Sequence, residues 1–209
     1  MNIIEAIETN NIEYVINNKG KFNPNQRGQY DFYLLHRAAY LGNYEIVQLL
    51  LDYGADIDIF DEDRFTPLHS IIDGNENNWF DTIELLIKNG ANVNTYRVWR
   101  DFDETKSKES ILITAVCSGL DAAVVELLLK NNADVNFIDS SGDKAINYAH
   151  DLGYMDIVKL LNKYGAEYDG KITKDEQIMI DYAIGMEESY KIRNKLKKRE
   201  DNGYIKSSN

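Results

Sequence analysis

A segment of about 33 residues recurs along this 209-residue chain, and the recurrence constrains the fold more than any other feature. His36 and His69 lie 33 residues apart, and each is followed by an apolar run and by a Gly-Ala dipeptide that begins at Gly54 or Gly90. Periods of 20 to 50 residues are typical of chains that stack one structural unit many times. A single unit of this size cannot bury its own apolar faces, so it needs neighbours on each side. The pattern therefore predicts one elongated domain built of stacked repeats.

The second copy of the segment contains the motif Thr-Pro-Leu-His at residues 66–69. The hydroxyl of Thr66 can cap a helix, and Pro67 is tolerated at the first helical position, because the N–H that proline lacks has no partner there. His69 can bridge backbone groups of the neighbouring loop through its two ring nitrogens. Gly90 follows the second apolar run, where helices often end on a left-handed residue. Each copy is therefore expected to hold two helices.

A Thr-Pro-Leu-His motif at a 33-residue period is the signature of ankyrin repeats, and residues 28–168 resemble that family. The resemblance implies an all-α fold, an ankyrin-repeat solenoid of four helix-turn-helix repeats with hairpin loops and a helical cap at each end. It implies a stack over residues 1–170, with a cap at 1–27 and repeats at about 28–60, 61–94, 95–136 and 137–169. The structural signature positions are His36, Thr66, Pro67, His69, Gly54, Gly90 and Gly165.

Three of the departures from the family pattern affect turns within the repeats. Arg64 stands where the hairpin usually has glycine, and Asn132 replaces the glycine that ends the third repeat. Asparagine tolerates the left-handed region better than most residues, so we expect Asn132 to adopt it. The histidine and the terminal glycine lie 21 residues apart in the second copy against 18 in the first, so three extra residues enlarge its turn within residues 73–78.

Eight further residues enlarge the hairpin between the second and third repeats, at residues 95–109. Long loops without regular structure are usually functional or disordered, and a disordered insert would be poor in aromatic residues. This one contains Tyr96, Trp99 and Phe102. We expect Trp99 and Phe102 to contact a partner, the alternative being that Trp99 folds back onto a neighbouring hairpin as a structural patch. For Tyr96 the two alternatives have equal support.

The repeat pattern stops near residue 170. Thr173 and Glu176 then form a Thr-x-x-Glu capping box, and the apolar residues of 178–190 share one helical face. We expect residues 171–209 to form a C-terminal capping helix or helices with a basic tail, the apolar face covering the end of the stack. The tail is interpreted as a solvated helix end, and contact with RNA or lipid head groups is the alternative.

Charge and cysteine content restrict the classes of partner and compartment. The formal charge is −12 and the isoelectric point about 4.7, which disfavours bare nucleic acid or an anionic membrane as a partner for the repeat body and favours a basic protein. The single cysteine, Cys117, excludes an internal disulfide framework and suits a reducing compartment. No apolar run approaches the roughly 20 residues that cross a bilayer, and the N-terminus lacks the basic start of a secretory signal. We expect a cytoplasmic protein, or one delivered into a host cytoplasm if it is an effector.

The residue types that carry catalysis or bind metals are scattered. The three histidines and the cysteine fall in different repeats without the spacing of metal ligands, and no glycine-rich phosphate loop is present. We interpret Cys117 as a spare small residue; a nucleophile is the alternative. Acidic runs such as Asp61-Glu62-Asp63 lie in loops and are expected to be solvated, because paired catalytic carboxylates need a cleft. We therefore expect no enzymatic activity, cofactor or metal.

The resemblance implies a non-enzymatic protein-protein interaction module that uses hairpin tips and the concave ends of its inner helices. We expect a monomer whose partner is a basic protein. The alternative is an immunity or inhibitor protein that neutralises a basic toxin such as a nuclease. The expected partner-binding positions, carried over from the family and extended by the insert, are Tyr30, Phe32, Tyr40, Glu62, Asp63, Phe65, Asp73, Tyr96, Trp99, Phe102, Ser107, Glu109, Ser140, Ser141, Asp143 and Asp151.

Overall fold

The computed structural model describes residues 1–28, 32–74, 79–100, 106–168 and 185–186. The chain divides into two units, Met1–Tyr168 and Asp169–Asn209, and every helix and strand named below belongs to the first. The capping box at Thr173 and Glu176 and the basic tail lie outside the described residues. Within the described part of the chain, no helix is long and apolar enough to cross a membrane.

The described part of the first unit contains ten helices arranged in five consecutive pairs. The pairs are α1 (Ile3–Glu8) and α2 (Ile12–Asn17), α3 (Leu34–Tyr40) and α4 (Tyr44–Asp52), α5 (Pro67–Asp73) and α6 (Trp79–Lys88), α7 (Ile111–Cys117) and α8 (Ala122–Lys130), and α9 (Ala145–Asp151) and α10 (Met155–Lys163). Each first helix packs on the first helix of the next pair, and each second helix on the next second helix. Two parallel layers result, which confirms the predicted helical repeat solenoid.

The two layers differ in how much of each helix is buried. In the first layer, every residue from Pro67 to Ile72 of α5 and from Ile111 to Val116 of α7 is buried. The second layer buries one face only; in α4 the buried residues are Ile46, Val47 and Leu50. A helix that is apolar all round must be covered on every side, whereas an amphipathic helix covers the core with one stripe. The first layer is therefore the centre of the stack.

The start of α5 shows why the second repeat matches the family pattern most closely. The backbone N–H of His69 donates to Oγ1 of Thr66 at 3.4 Å, and the backbone N–H of Thr66 donates to Nδ1 of His69 at 3.1 Å. Pro67 occupies the first turn. In the first repeat Tyr33 takes the cap position and makes no side-chain cap hydrogen bond. The second repeat thus has a reciprocal cap that the first lacks.

Replacing Thr66 with valine keeps the side-chain volume and removes only the hydroxyl. We expect Thr66→Val to lower the free energy of unfolding by about 1 kcal/mol, because the first turn of α5 loses its cap. Urea unfolding measures the change. Thr9→Val is the control, since the hydroxyl of Thr9 donates at the exposed end of α1. Equal losses in the two variants would contradict a specific role for the buried cap.

Among the described residues, three other than glycine adopt left-handed backbone at turns: Asn10, Arg64 and Asn132. Asn132 has φ of 65°, which confirms the conformation predicted for the end of the third repeat. Arg64 has φ of 61° in the second hairpin, where Gly142 has φ of 90° at the matching place in the fourth. Only glycine adopts this region without a steric cost. The second hairpin therefore keeps the backbone shape of the fourth hairpin at some cost in strain.

The enlarged hairpin between the second and third repeats contains regular strands. Strand β1 (Tyr96–Arg100) pairs antiparallel with β2 (Lys106–Ser110), and Tyr96 lies opposite Ser110. The enlarged hairpin expected at residues 95–109 is thus a regular antiparallel pair over these ten residues. Tyrosine, valine and tryptophan in β1 favour a pleated strand, and the antiparallel partner satisfies the backbone groups that a loop would expose to water. We call β1 and β2 together the ribbon.

Candidate functional site

The predicted partner-binding residues lie around the exposed C-terminal ends of the first-layer helices, a region that we call the inner-helix surface: the ends of α3, α5, α7 and α9 with the hairpins that precede them. Three of these residues, Tyr40, Asp73 and Asp151, are the last residues of α3, α5 and α9. The remaining described residues of the set lie in the hairpins or in the ribbon. Tyr30 and Phe102 fall outside the described residues. Trp99 lies in β1, opposite Ser107, and its side chain is not described.

A cavity of about 240 Å³ opens on the inner-helix surface at the first repeat. We call it the aromatic pocket, because Phe32 and Tyr40, each 41% exposed, form part of its wall. The other lining residues are His36 and Arg37 from α3 and Ser70 from α5. The pocket therefore spans the junction of the first and second repeats.

Arg37, the cation that lines the aromatic pocket, is neutralised by Glu8 of α1. Nε and Nη2 of Arg37 donate to the two carboxylate oxygens of Glu8, each at 2.7 Å. The hydrogen bond from Arg37 lowers the pKa of Glu8 below its usual range. The guanidinium also lies 5.3 Å from the centre of the Tyr40 ring. Arg37 thus orients Tyr40 and contributes little free positive charge to the pocket.

A second group of predicted residues converges on Arg97 of the ribbon. Nη1 of Arg97 donates to Asp73 at 3.0 Å and Nη2 to Glu109 at 2.9 Å. The guanidinium lies 5.3 Å from the centre of the Phe65 ring, and Glu109 also accepts from the hydroxyl of Thr114 at 2.6 Å. Burial raises the pKa of the Asp73 carboxyl. Asp73, Glu109 and Phe65 therefore anchor the ribbon to α5 and α7.

Arg97 was not among the residues predicted to have a functional or structural role. The only signal was a basic residue within an acidic repeat body, and nothing in the spacing indicated that carboxylates from α5 and β2 would meet it. Partial desolvation and the Glu109 carboxylate raise the pKa of the nearby Cys117 thiol, an exposed residue, to about 11. A thiol with so high a pKa remains protonated near neutral pH, so it lacks the thiolate character of a nucleophile.

The base of the ribbon also packs on the fourth repeat. The ring of Tyr96 lies 6.0 Å from that of Phe137, and Nζ of Lys108 lies 5.6 Å from the Tyr96 ring. The backbone N–H of Ser140 donates to the Lys108 carbonyl at 3.3 Å, and the Lys108 N–H donates to the Ser140 hydroxyl at 2.7 Å. These contacts favour a structural role for Tyr96 and Ser140.

The fourth hairpin is organised by Asp139. Oδ1 of this residue accepts from the backbone N–H groups of Ser141 at 2.8 Å and Asp143 at 3.0 Å. Oδ2 accepts from the hydroxyl of Tyr148 at 2.6 Å. The positions of Ser141 and Asp143 thus depend on an acid that the sequence analysis did not select. An Asp-x-x-Gly turn in this hairpin was the available signal.

Three predicted acids remain exposed on the surface. Glu62 makes an ion pair with Arg27 at 2.9 Å, and its side chain is 64% exposed. Asp63 is exposed and its backbone N–H donates to Asp61 at 3.1 Å. Asp151 lies 3.7 Å from Nδ1 of His150. Exposed pairs of this kind contribute little to stability, so these carboxylates remain accessible to a partner.

The two signature histidines are buried in the first layer. Nε2 of His36 donates to the carbonyl of Phe65 at 2.9 Å and so links the first repeat to the second hairpin. The corresponding atom of His69 has no hydrogen-bond partner among the described residues. Burial lowers the pKa of both imidazoles, that of His69 to about 3. Among the described residues, no group of three or more histidine, cysteine, aspartate or glutamate side chains is placed to hold a metal ion.

Comparison with known families gives a match over most of the chain. The family model described as ankyrin repeats, three copies, matches residues 3–97 and again residues 98–172. The two matches join within the ribbon, where the enlarged hairpin interrupts the regular period.

Curated relatives come from viruses and from animals. An ankyrin repeat protein of Acanthamoeba polyphaga mimivirus is 30% identical over 135 residues, which cover 62% of this chain and 21% of the relative. The neurogenic locus notch homolog protein 1 of Xenopus laevis is 31% identical over 142 residues, or 68% of this chain and 5% of the relative. An ankyrin repeat protein of fowlpox virus is 35% identical over 115 residues, or 55% and 15%. The chain thus spans about a fifth or less of the length of these relatives.

Proposed function

Because the chain belongs to the ankyrin repeat family, we propose that it binds a basic partner protein through its inner-helix surface. Ankyrin repeats are in general protein-protein interaction modules. The observation that carries the proposal for this chain is the exposure of Phe32 and Tyr40, each 41% exposed around one pocket. Aromatic side chains are enriched at the centres of protein interfaces, where they contribute most of the binding energy.

The negative charge of the first unit supports a basic partner. Residues 1–168 contain 14 lysines and arginines and 27 aspartates and glutamates, a net charge of 14 minus 27, or −13. Arg37 and Arg97, both on the inner-helix surface, have acidic partners within the chain. Opposite charge on two surfaces raises the rate at which they meet and orients the encounter. A basic surface would therefore associate quickly with this one.

The contacts within the chain divide eight of the predicted binding residues into two groups. Phe65, Asp73 and Glu109 surround Arg97 and hold the ribbon in place. The second group projects from the surface: Phe32, Tyr40, Glu62, Asp63 and Asp151. We propose the second group as the partner contacts. Trp99 and Phe102 stay hypotheses of the same kind.

The test captures partners from a lysate of the source organism and then measures binding with the purified partner. We expect the association rate to fall at least about tenfold between 0.1 M and 1 M salt, because the Debye length shrinks from about 10 Å to about 3 Å. Biolayer interferometry measures the rate. Tyr40→Ser should weaken the complex, whereas Tyr44→Ser, on α4 and equally exposed at 41%, should not. A salt-independent association rate, or a partner that binds both variants like the wild type, would refute the proposal.

A further inference from the structure

We infer that the aromatic pocket receives a tryptophan or tyrosine side chain from a basic segment of the partner protein. The inference rests on the proposed function and specifies what the inner-helix surface recognises. Three features carry it: the size and walls of the pocket, an unpaired hydroxyl within it, and the charge around it.

The size and walls of the pocket suit an aromatic ring. An engineered apolar cavity of about 150 Å³ holds benzene, so a pocket of about 240 Å³ has room for a ring and its polar substituent. Phe32 and Tyr40 lie on its wall. Aromatic rings favour edge-to-face or offset contacts with one another, so these two walls favour an aromatic side chain over an aliphatic one of similar size.

Ser70 adds a polar group that distinguishes among aromatic side chains. The residue is 6% exposed and lines the pocket from α5. Its hydroxyl makes no hydrogen bond with another described residue and retains contact with water. A nearly buried hydroxyl without a partner is unfavourable once water is displaced. The indole N–H of tryptophan or the phenol of tyrosine would supply the missing hydrogen bond, whereas phenylalanine would not.

The charge around the pocket determines the residues that flank the ring. Arg37 is held by both oxygens of Glu8, so the cation in the wall is already neutralised. Asp73, which follows Ser70 by one helical turn on α5, is likewise paired with Arg97. With a net charge of −13 over residues 1–168, the surroundings attract lysine and arginine. The expected ligand is thus an aromatic residue between basic ones.

Five fluorescein-labelled peptides test this specificity by fluorescence anisotropy with the full chain at 0.1 M salt. Four have the sequence Lys-Lys-X-Lys-Lys, with tryptophan, tyrosine, phenylalanine or alanine at X, and the fifth is Glu-Glu-Trp-Glu-Glu. We expect the tryptophan and tyrosine peptides to bind at least about tenfold more tightly than the alanine peptide and the acidic peptide. The phenylalanine peptide should fall between them. Equal affinity for the tryptophan and alanine peptides overturns the inference.

Variants locate the binding on this pocket. Tyr40→Ser should weaken the tryptophan peptide about tenfold, and Tyr40→Phe should retain binding because the ring remains. Tyr44→Ser is the matched control, since Tyr44 has the same exposure on α4. Ser70→Ala should abolish the preference for tryptophan over phenylalanine without changing the affinity for the phenylalanine peptide. A preference that survives Ser70→Ala removes Ser70 from the site, and equal losses from Tyr40→Ser and Tyr44→Ser place the binding elsewhere.

The two proposals can fail separately. If the captured partner binds in a manner that depends on Tyr40 while no peptide shows aromatic preference, the inference about the pocket is wrong and the proposed function stands. If the peptides show the expected order but the captured proteins do not distinguish Tyr40→Ser from Tyr44→Ser, the pocket is correct and the assignment of the partner surface is wrong. Circular dichroism of every variant confirms that the helical fold is retained before binding is compared.

Discussion

Lowering the pH from 7.5 to 5 is expected to reduce the free energy of unfolding by about 2 kcal/mol through His69 alone. The imidazole of His69 is fully buried, and burial lowers its pKa from 6.5 to about 3. Below pH 6.5 the unfolded chain binds a proton at this residue, whereas the folded chain does not until the pH approaches 3. The contribution is therefore complete above pH 6.5 and is lost at about 1.4 kcal/mol per pH unit between 6.5 and 3.

Urea unfolding at pH 7.5, 6.5 and 5 measures this loss. The variant His69→Gln should be less stable than the wild type at pH 7.5, and the difference should shrink by about 2 kcal/mol at pH 5. Burial also lowers the pKa of His36, so the wild type and the variant both lose further stability as the pH falls. Burial raises the pKa of Asp61 and Asp73. These two carboxyl groups therefore make the folded state more stable as the pH falls, in the wild type and the variant alike. If the difference between wild type and variant is the same at all three pH values, His69 is not the cause.

Gly74→Ala is expected to lower the free energy of unfolding by about 2 kcal/mol. Gly74 caps α5 in extended backbone, with φ of −72° and ψ of 122°, which any residue can adopt. A Cβ atom there would lie 2.7 Å from the carbonyl oxygen of Tyr40 and 3.2 Å from that of Ser70. Both atoms belong to the backbone, so relief of the clash requires α3 and α5 to move apart. Packed helices resist such a shift, since interiors are close to crystal density.

The matched control is Ser118→Ala. Ser118 caps α7 at the position that corresponds to Gly74 in α5, and its backbone is helical, with φ of −74° and ψ of −2°. A Cβ atom is already accommodated there, so the substitution should change stability by less than about 0.5 kcal/mol. Urea unfolding of both variants gives the comparison. A Gly74→Ala variant as stable as the wild type would show that the two inner helices adjust to the added methyl group.

The repeat architecture could be predicted because each of its signals is local. Thr66, Pro67 and His69 form the start of a helix through groups at most three residues apart. Asn132 adopts the left-handed backbone expected where glycine is replaced at a helix end. Interactions within one turn of helix depend on neighbouring residues in the chain, so the order of residues along it is sufficient to predict them.

The surface that carries the proposed function could not be predicted to the same extent, because its contacts join different repeats. Arg97 meets Asp73 across 24 residues, and Ser70 completes a pocket whose other walls come from the preceding repeat. The register of the ribbon places Arg97 opposite Glu109. The carbonyl of Phe65 accepts a hydrogen bond from Nε2 of His36, whereas Nε2 of His69 has no such acceptor among the described residues. The sequence by itself therefore determined the helices, their caps and the period of the stack. Only the tertiary structure decided which side chains remain exposed for a partner. Long-range charge pairing and strand register determine which of the predicted residues make contacts within the chain instead.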